Sequence, residues 1–159
     1  MKRSDETATI IWKGTTYMKV TYIENQLKLE DYLYLRKEVN WKALSPTQAQ
    51  KALTNSLYTV HAVYNDRVIG MGRIVGDGAV ICYIQDLIIH PEAQHMGIGS
   101  HIMDMLITYV DSLREEGTEM MLDLMCAKGR ESFYEKKQFI ARPTDTLGPG
   151  MIQILKDRG

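Results

Sequence analysis

The chain reads as a mixed α/β (α+β) fold, a central sheet of mixed strand direction flanked by helices. Three observations predict it. Residues 57–75 carry two apolar runs split by a polar turn, Val80–Ile89 is almost continuously apolar, and an amphipathic helix pattern starts directly after a glycine pair at Gly97 and Gly99. A hairpin followed by strand, helix and strand is the order of a sheet that changes from antiparallel to parallel.

Taken in order, residues 1–16 are polar and fit either an unordered leader or an extra edge strand. Residues 17–159 are expected to form a single domain, since 159 residues with 45% hydrophobic content suffice for one core. Met18–Ile23 reads as a strand. Leu29, Leu33 and Leu35, with Tyr32 and Tyr34, mark a helix over 28–39 that ends before Asn40-Trp41. Ser45-Pro46 supplies a cap and a first-turn proline for a helix reaching about Leu57. Strands Leu57–Tyr64 and Val68–Val75 flank Asn65-Asp66-Arg67, which has hairpin chemistry, and Asp77-Gly78 turns the chain into Val80–Ile89. Apolar residues on both faces of that run predict a central strand. Ile98, Ile102, Met105, Leu106, Tyr109 and Leu113 form one apolar helix face, opposite His101, Asp104, Thr108, Asp111 and Arg114. Met120–Cys126 is the next strand, followed by a short helix at 130–138 and final strands near 139–142 and 151–155.

A formal net charge of −1 gives no global basic field, which argues against nucleic acid or an anionic membrane as main partner. No apolar run is long enough to span a bilayer, and MKRSDETATI lacks a signal-peptide core, so a cytoplasmic location is expected. Cys82 and Cys126 sit in apolar strand patterns and read as small buried hydrophobes. His61, His90, His95 and His101 show no ligand spacing with them, and no metal is assigned.

The loop Gln94-His95-Met96-Gly97-Ile98-Gly99 is the most informative segment. Its glycines allow backbone N–H groups to converge, and the helix that follows adds its positive end, a combination suited to a pyrophosphate. The run resembles the Gln/Arg-x-x-Gly-x-Gly/Ala signature of the GCN5-related N-acetyltransferases, the GNAT family. YTVHAVYNDRVIGMGRIVGDG (58–78) before it and SFYEKKQF (132–139) after it resemble that family's hairpin and its tyrosine segment, so the likeness covers about residues 18–156. GRIVGDG, the strand ending in Asp86, and Gly148-Pro149-Gly150-Met151 together look like a subgroup that includes arylalkylamine-acetyltransferase-like proteins. The resemblance implies acetyl-CoA as cosubstrate, held by Gln94, His95, Met96, Gly97, Ile98, Gly99 and Ser100. It also implies a splayed strand at Leu87, Ile88 and Ile89 that pairs with the pantetheine arm and forms the acyl-CoA cleft. A small-molecule amine is the implied acceptor, and a homodimer is a common family outcome.

The same resemblance points the hydroxyl of Tyr134 at the thioester sulfur. A phenol near pKa 10 handing a proton to a thiolate near 8.5 is uphill by roughly 2 kcal/mol, so a hydrogen bond to the thiolate precedes or replaces full transfer. A Phe-Tyr pair on a short helix reads equally as core. Asp86, a carboxylate in an apolar strand, fits a general base, an anchor for a cationic amine or a structural acceptor. Trp41, Tyr32, Tyr34 and Tyr83 are candidates for the acceptor side, against the plainer reading of aromatic core. Three departures from the family stand out: Ala127 where many members carry asparagine, Gln138 in place of the glycine before Phe139, and His95-Met96 in a loop that commonly holds Lys or Arg.

Two functions compete on this basis, an acetyl-CoA-dependent N-acetyltransferase acting by direct attack in a ternary complex and an acyl-CoA-binding module with little turnover. An acyl-cysteine route through Cys126 lacks a Cys–His base pair.

Overall fold

The computed structural model describes residues 5–12 and 16–156. The chain divides into two compact units, the first ending at Leu124 and the second beginning at Met125.

In the first unit six strands form one sheet in sequence order: β1 (Glu6–Trp12), β2 (Thr16–Glu24), β3 (Tyr58–Tyr64), β4 (Arg67–Gly76), β5 (Ile81–Ile89) and β6 (Met121–Leu124). All neighbours are antiparallel except β5 and β6, which run parallel. Helices α1 (Leu29–Glu38) and α2 (Pro46–Thr54) lie between β2 and β3 in sequence, and α3 (Ile98–Leu113) makes the crossover from β5 to β6. The mixed sheet with flanking helices is therefore the architecture the sequence predicts. Residues 6–12 take the edge-strand option, and among the described residues no helix is long and apolar enough to cross a membrane.

Local chemistry explains the joints. Ser45 Oγ accepts from Gln48 N at 3.1 Å and caps α2, and the hairpin turn places Asn65 (φ 49) and Asp66 (φ 59) in the left-handed region that two-residue hairpins need. Asp77 accepts from the amides of Ala79, Val80 and Ile81, closing the turn before β5 and holding its carboxyl below the ordinary carboxylate range.

The sheet separates two packing layers. On one face Gly70 and Gly72 let α3 approach so closely that an added Cβ would lie 3.3 Å from Ile102 at Gly70 and 2.7–2.8 Å from Ile102 and Leu106 at Gly72. The helix buries Ile98, Ile102, Met103, Leu106 and Val110, a stripe rotated slightly from the predicted one, which leaves Met105, Tyr109 and Leu113 half-buried. His101 does not face solvent fully, because its ring stacks on Tyr22 at 4.0 Å. On the other face Tyr32, Leu35, Ala49, Val68, Met71 and Ile88 form a core beneath α1 and α2.

β5 carries apolar residues on both faces, as predicted, but it is not regular. Buried and partly exposed residues alternate along it, and its register with β4 shifts by one between Arg73↔Asp86 and Ile74↔Ile84. Gln85 is the extra residue. Side chains two apart on a regular strand share a face, yet Ile84 pairs with Ile74 and Asp86 with Arg73, neighbours on opposite faces of β4. The bulge thus carries Asp86 from the α3 side to the α1 side of the sheet.

In the second unit α4 (Glu131–Glu135) ends in a turn where Phe139 N donates to Tyr134 O at 3.1 Å. The strands expected at 139–142 and 151–155 are absent: these residues hold no strand, and Ile140, Met151, Ile152, Ile154 and Leu155 are exposed. Local bonds take the intervening chain instead, with Thr144 N donating to Leu147 O and Arg142 Nε to Gly148 O. Gln138 has φ 67, which explains why a glycine suits this position. Gln138→Gly is accordingly expected to stabilise the protein by about 1 kcal/mol, read as a rise in Tm of about 2–4 °C.

Candidate active site

The two strands β5 and β6 pair only over Ile81–Ile84 and Met121–Leu124. Beyond Ile84, β5 continues to Ile89 with β4 as its only strand partner among the described residues. His90 N donates to Ile69 O, so by strand alternation Ile88 also turns its backbone toward β4. Leu87 and Ile89 turn theirs to the open edge, and the Ile89 carbonyl accepts from Gln94 Nε2 at 3.2 Å on that side. Of the three residues expected on a splayed edge, Leu87 and Ile89 fit. Ile88 does not: its backbone is taken by the ladder and its side chain lies in the α1 core.

The open edge leads into the glycine loop. The backbone turns left-handed at His95 (φ 63) and at Gly97 (φ 81), and α3 starts at Ile98 with no side-chain cap and no acidic residue in its first turn. The first amides of a helix have no intrahelical acceptor, so those of Ile98, Gly99 and Ser100 are available to an anion. A Cβ built at Gly97 would meet nothing within 4 Å, which leaves open room over the loop. Gln94 spends its side chain on Ile89, and Ile98 buries its own, so both serve this loop through backbone and position. His95 is exposed and Met96 half-buried.

Asp86 is 1% exposed and fully engaged. Its Oδ2 accepts from Tyr32 Oη at 2.8 Å and from Arg73 Nε at 2.8 Å, and its Oδ1 from Arg36 Nη1 at 3.3 Å. Arg73 also donates to Ala52 O and Ser56 Oγ at 3.3 Å. Both carboxylate oxygens are thus taken by guanidinium and phenol donors inside the core, an arrangement that suits a structural acceptor. Tyr32, expected on the acceptor side, is a core residue, 1% exposed, whose hydroxyl serves Asp86; burial and the Asp86 charge push its phenol up. Trp41 is 39% exposed and lies with its ring centroid 5.2 Å from the Arg36 guanidinium carbon. Tyr83 is half-buried and, through its pairing with Val75, shares the face of Asp86.

Arg36 and Arg73 were not singled out from the sequence. Arg73 carried a signal, a lone charge in the apolar run VIGMGRIVG that matches the lone Asp86 in the next strand.

In the second unit, Tyr134 packs edge-on against Phe133 at 5.1 Å and Phe139 at 6.1 Å. Burial raises its pKa, the Cys126 charge adds to the rise, and Arg130 opposes both. Cys126 is exposed rather than buried, while Cys82 is buried. Desolvation and Glu131 push the Cys126 thiol up, which disfavours a nucleophilic thiolate.

A sequence model of the acetyltransferase (GNAT) family matches residues 25–139. The chain belongs to that family. It is an acyltransferase, and the reading as a binding module is not favoured. An uncharacterized N-acetyltransferase ycf52-like from Prochlorococcus marinus is 30% identical over 130 residues, covering 77% of this chain and 70% of that one. A Staphylococcus aureus protein of unknown function superposes with a TM-score of 0.74 at 29% identity, covering 86% of this chain and 99% of the other. A GNAT family protein from Streptococcus pneumoniae follows at 0.67 and 29%, covering 87% and 99%. PaiA N-acetyltransferase from Thermoplasma acidophilum, solved in complex with coenzyme A, shares the fold at a TM-score of 0.60 and 15% identity, covering 79% and 94%.

Proposed function

We propose that this acetyltransferase moves an acetyl group from acetyl-CoA to a primary amine by direct attack in a ternary complex. The observation that carries the reading is the open edge of β5 running into the uncapped start of α3. Backbone groups of Leu87 and Ile89 suit the amide-bearing pantetheine arm, which would add to the sheet as a short strand. The amides of Gly97, Ile98, Gly99 and Ser100, with the helix dipole behind them, suit the pyrophosphate, and the space above Gly97 leaves room for it. The cosubstrate supplies an activated acetyl carbonyl. The amine nitrogen bonds to that carbon, the carbon–sulfur bond breaks and the amine proton passes to water; the family resemblance alone gives Tyr134 the role of supplying a proton or hydrogen bond to the departing thiolate. Asp86, closed within its three donors, acts here as a positioning residue for α1 over β5 rather than as a base.

An aromatic amine of the arylalkylamine type is supported by the Gly148-Pro149-Gly150-Met151 resemblance and by the exposed ring of Trp41. Thiol release by the purified protein over an amine panel tests the acceptor directly.

Gly97→Val tests the cradle. A β-branched residue resists φ 81 and places its methyls in the anion space. The Kd for acetyl-CoA is expected to rise about 10–100-fold by calorimetry, the equivalent of one or two charge-assisted hydrogen bonds. Gly97→Asn, which tolerates left-handed φ, should lose less. Unchanged affinity in folded Gly97→Val protein would remove the loop from the site.

A further inference from the structure

We propose that Arg36 selects an acceptor that carries a carboxylate, a deepening that rests on the acetyltransferase reading above. The Asp86 cluster holds two guanidiniums against one carboxylate. Arg73 takes the shorter share, 2.8 Å to Oδ2, and spends a further nitrogen on Ala52 O and Ser56 Oγ. Arg36 is held more loosely, at 3.3 Å from Oδ1 and 3.5 Å from Tyr32 Oη, beyond the usual length of a charge-assisted bond. Its charge is the under-compensated one.

The donors of Arg36 show what would compensate it. A guanidinium grips a carboxylate bidentately through two N–H groups on one edge. In Arg36 the Nε–Nη2 edge is incompletely used: Nη2 donates to the Lys42 backbone carbonyl at 3.0 Å, and Nε, although buried, has no partner. The guanidinium also meets two rings, its carbon 5.2 Å from the Trp41 centroid and 5.6 Å from that of Tyr32. The segment that covers this edge is the short connection from α1 to α2, which is exposed at Asn40–Ala43 and left-handed at Asn40 (φ 56). Displacing one carbonyl, that of Lys42, presents both donors to an incoming carboxylate.

Position fits the role. Asp86 is two residues past Ile84, the last β5 residue paired to β6, so Arg36 reaches the strand where its free edge begins. An amine approaching an acyl group laid along Leu87 and Ile89 passes this corner, and Arg36 then anchors the end of the acceptor that does not react.

The test uses matched acceptors in a thiol-release assay on the purified full chain: phenylalanine against phenylalaninamide and phenethylamine, and 4-aminobutyrate against n-butylamine. In at least one set the carboxylate is expected to have the higher kcat/KM by about tenfold or more, because a site built to bond a polar group rejects the analogue that lacks it. Arg36→Gln should collapse that ratio toward one through KM. Arg36→Lys keeps the charge without the fork and should lose most of it. A purely structural role would lower all acceptors together and preserve the ratio. No carboxylate preference in the wild-type protein overturns the proposal whatever the variants do, and so does a preference that survives Arg36→Gln. Turnover of the uncharged amines alone leaves the acetyltransferase reading standing while the carboxylate clamp falls. Absence of acetyl-CoA binding by calorimetry, or binding with no turnover of any acceptor, removes the premise and the clamp with it.

Discussion

Asp86→Asn is expected to lower the melting temperature strongly while leaving acetyl-CoA affinity close to that of the parent. The substitution is nearly isosteric, so its effect is electrostatic. It leaves the guanidiniums of Arg73 and Arg36 facing each other across a neutral amide, with Arg73 at 7% and Arg36 at 13% side-chain exposure. Removing one partner of a buried ion pair typically costs about 3–5 kcal/mol, and for a chain of this size that corresponds to a fall of roughly 6–20 °C. Adding Arg73→Met should recover part of the loss, because the second substitution removes the charge that the first left unpaired; the coupling between contacting residues is of order 0.5–3 kcal/mol. Kinetics on the same preparation separate the remaining roles. A general base would show itself by a displaced acidic limb at normal stability, and an amine anchor by a raised KM alone. Normal melting with either signature would move Asp86 from the scaffold into the chemistry.

That cluster also marks the limit of what the sequence discloses. The glycine loop, the start of α3, the Asn65-Asp66 hairpin and the Ser45 cap were legible because each depends on residues close together in the chain. The partners of Asp86 are not of that kind: Tyr32 and Arg36 lie 54 and 50 residues away, on a helix whose tyrosines looked equally suited to a pocket wall. Nothing in Tyr83-Ile84-Gln85-Asp86-Leu87 announces an extra residue, yet that residue decides which face Asp86 occupies. Apolar residues on both faces mark β5 as a central strand with or without the shift, so the pattern carries no sign of it. The missing strands at 139–142 and 151–155 have a related cause. Apolar alternation in Met151-Ile152-Gln153-Ile154-Leu155 records what a segment can do beside a neighbour, and a strand exists only where a neighbour's backbone is in reach.

Tyr134→Phe is expected to reduce turnover by about two to four orders of magnitude while stability and acetyl-CoA affinity barely change. The ring is retained, so the edge-on contacts with Phe133 and Phe139 survive and only the hydroxyl is lost. The pH behaviour follows from the direction of its shift. Burial, with the Cys126 charge adding to it, raises the Tyr134 pKa above the ordinary phenol value. A raised pKa means that the protonated form persists below it and is lost only as pH rises through it, so between pH 6 and 9 Tyr134 remains a donor throughout. Over that window the parent rate should climb as the amine loses its proton and show no alkaline decline from the tyrosine. The variant should follow a parallel curve at a far lower level. A phenol held high is also a reluctant acid toward a thiolate, which favours hydrogen-bond stabilisation of the leaving group over early proton transfer. On that account a cosubstrate with a better leaving thiol should narrow the gap between parent and variant. An equal gap with both thiols would mean that the hydroxyl does not act on the leaving group, and near-parental turnover under chemistry-limited conditions would return Tyr134 to the packing of its own helix.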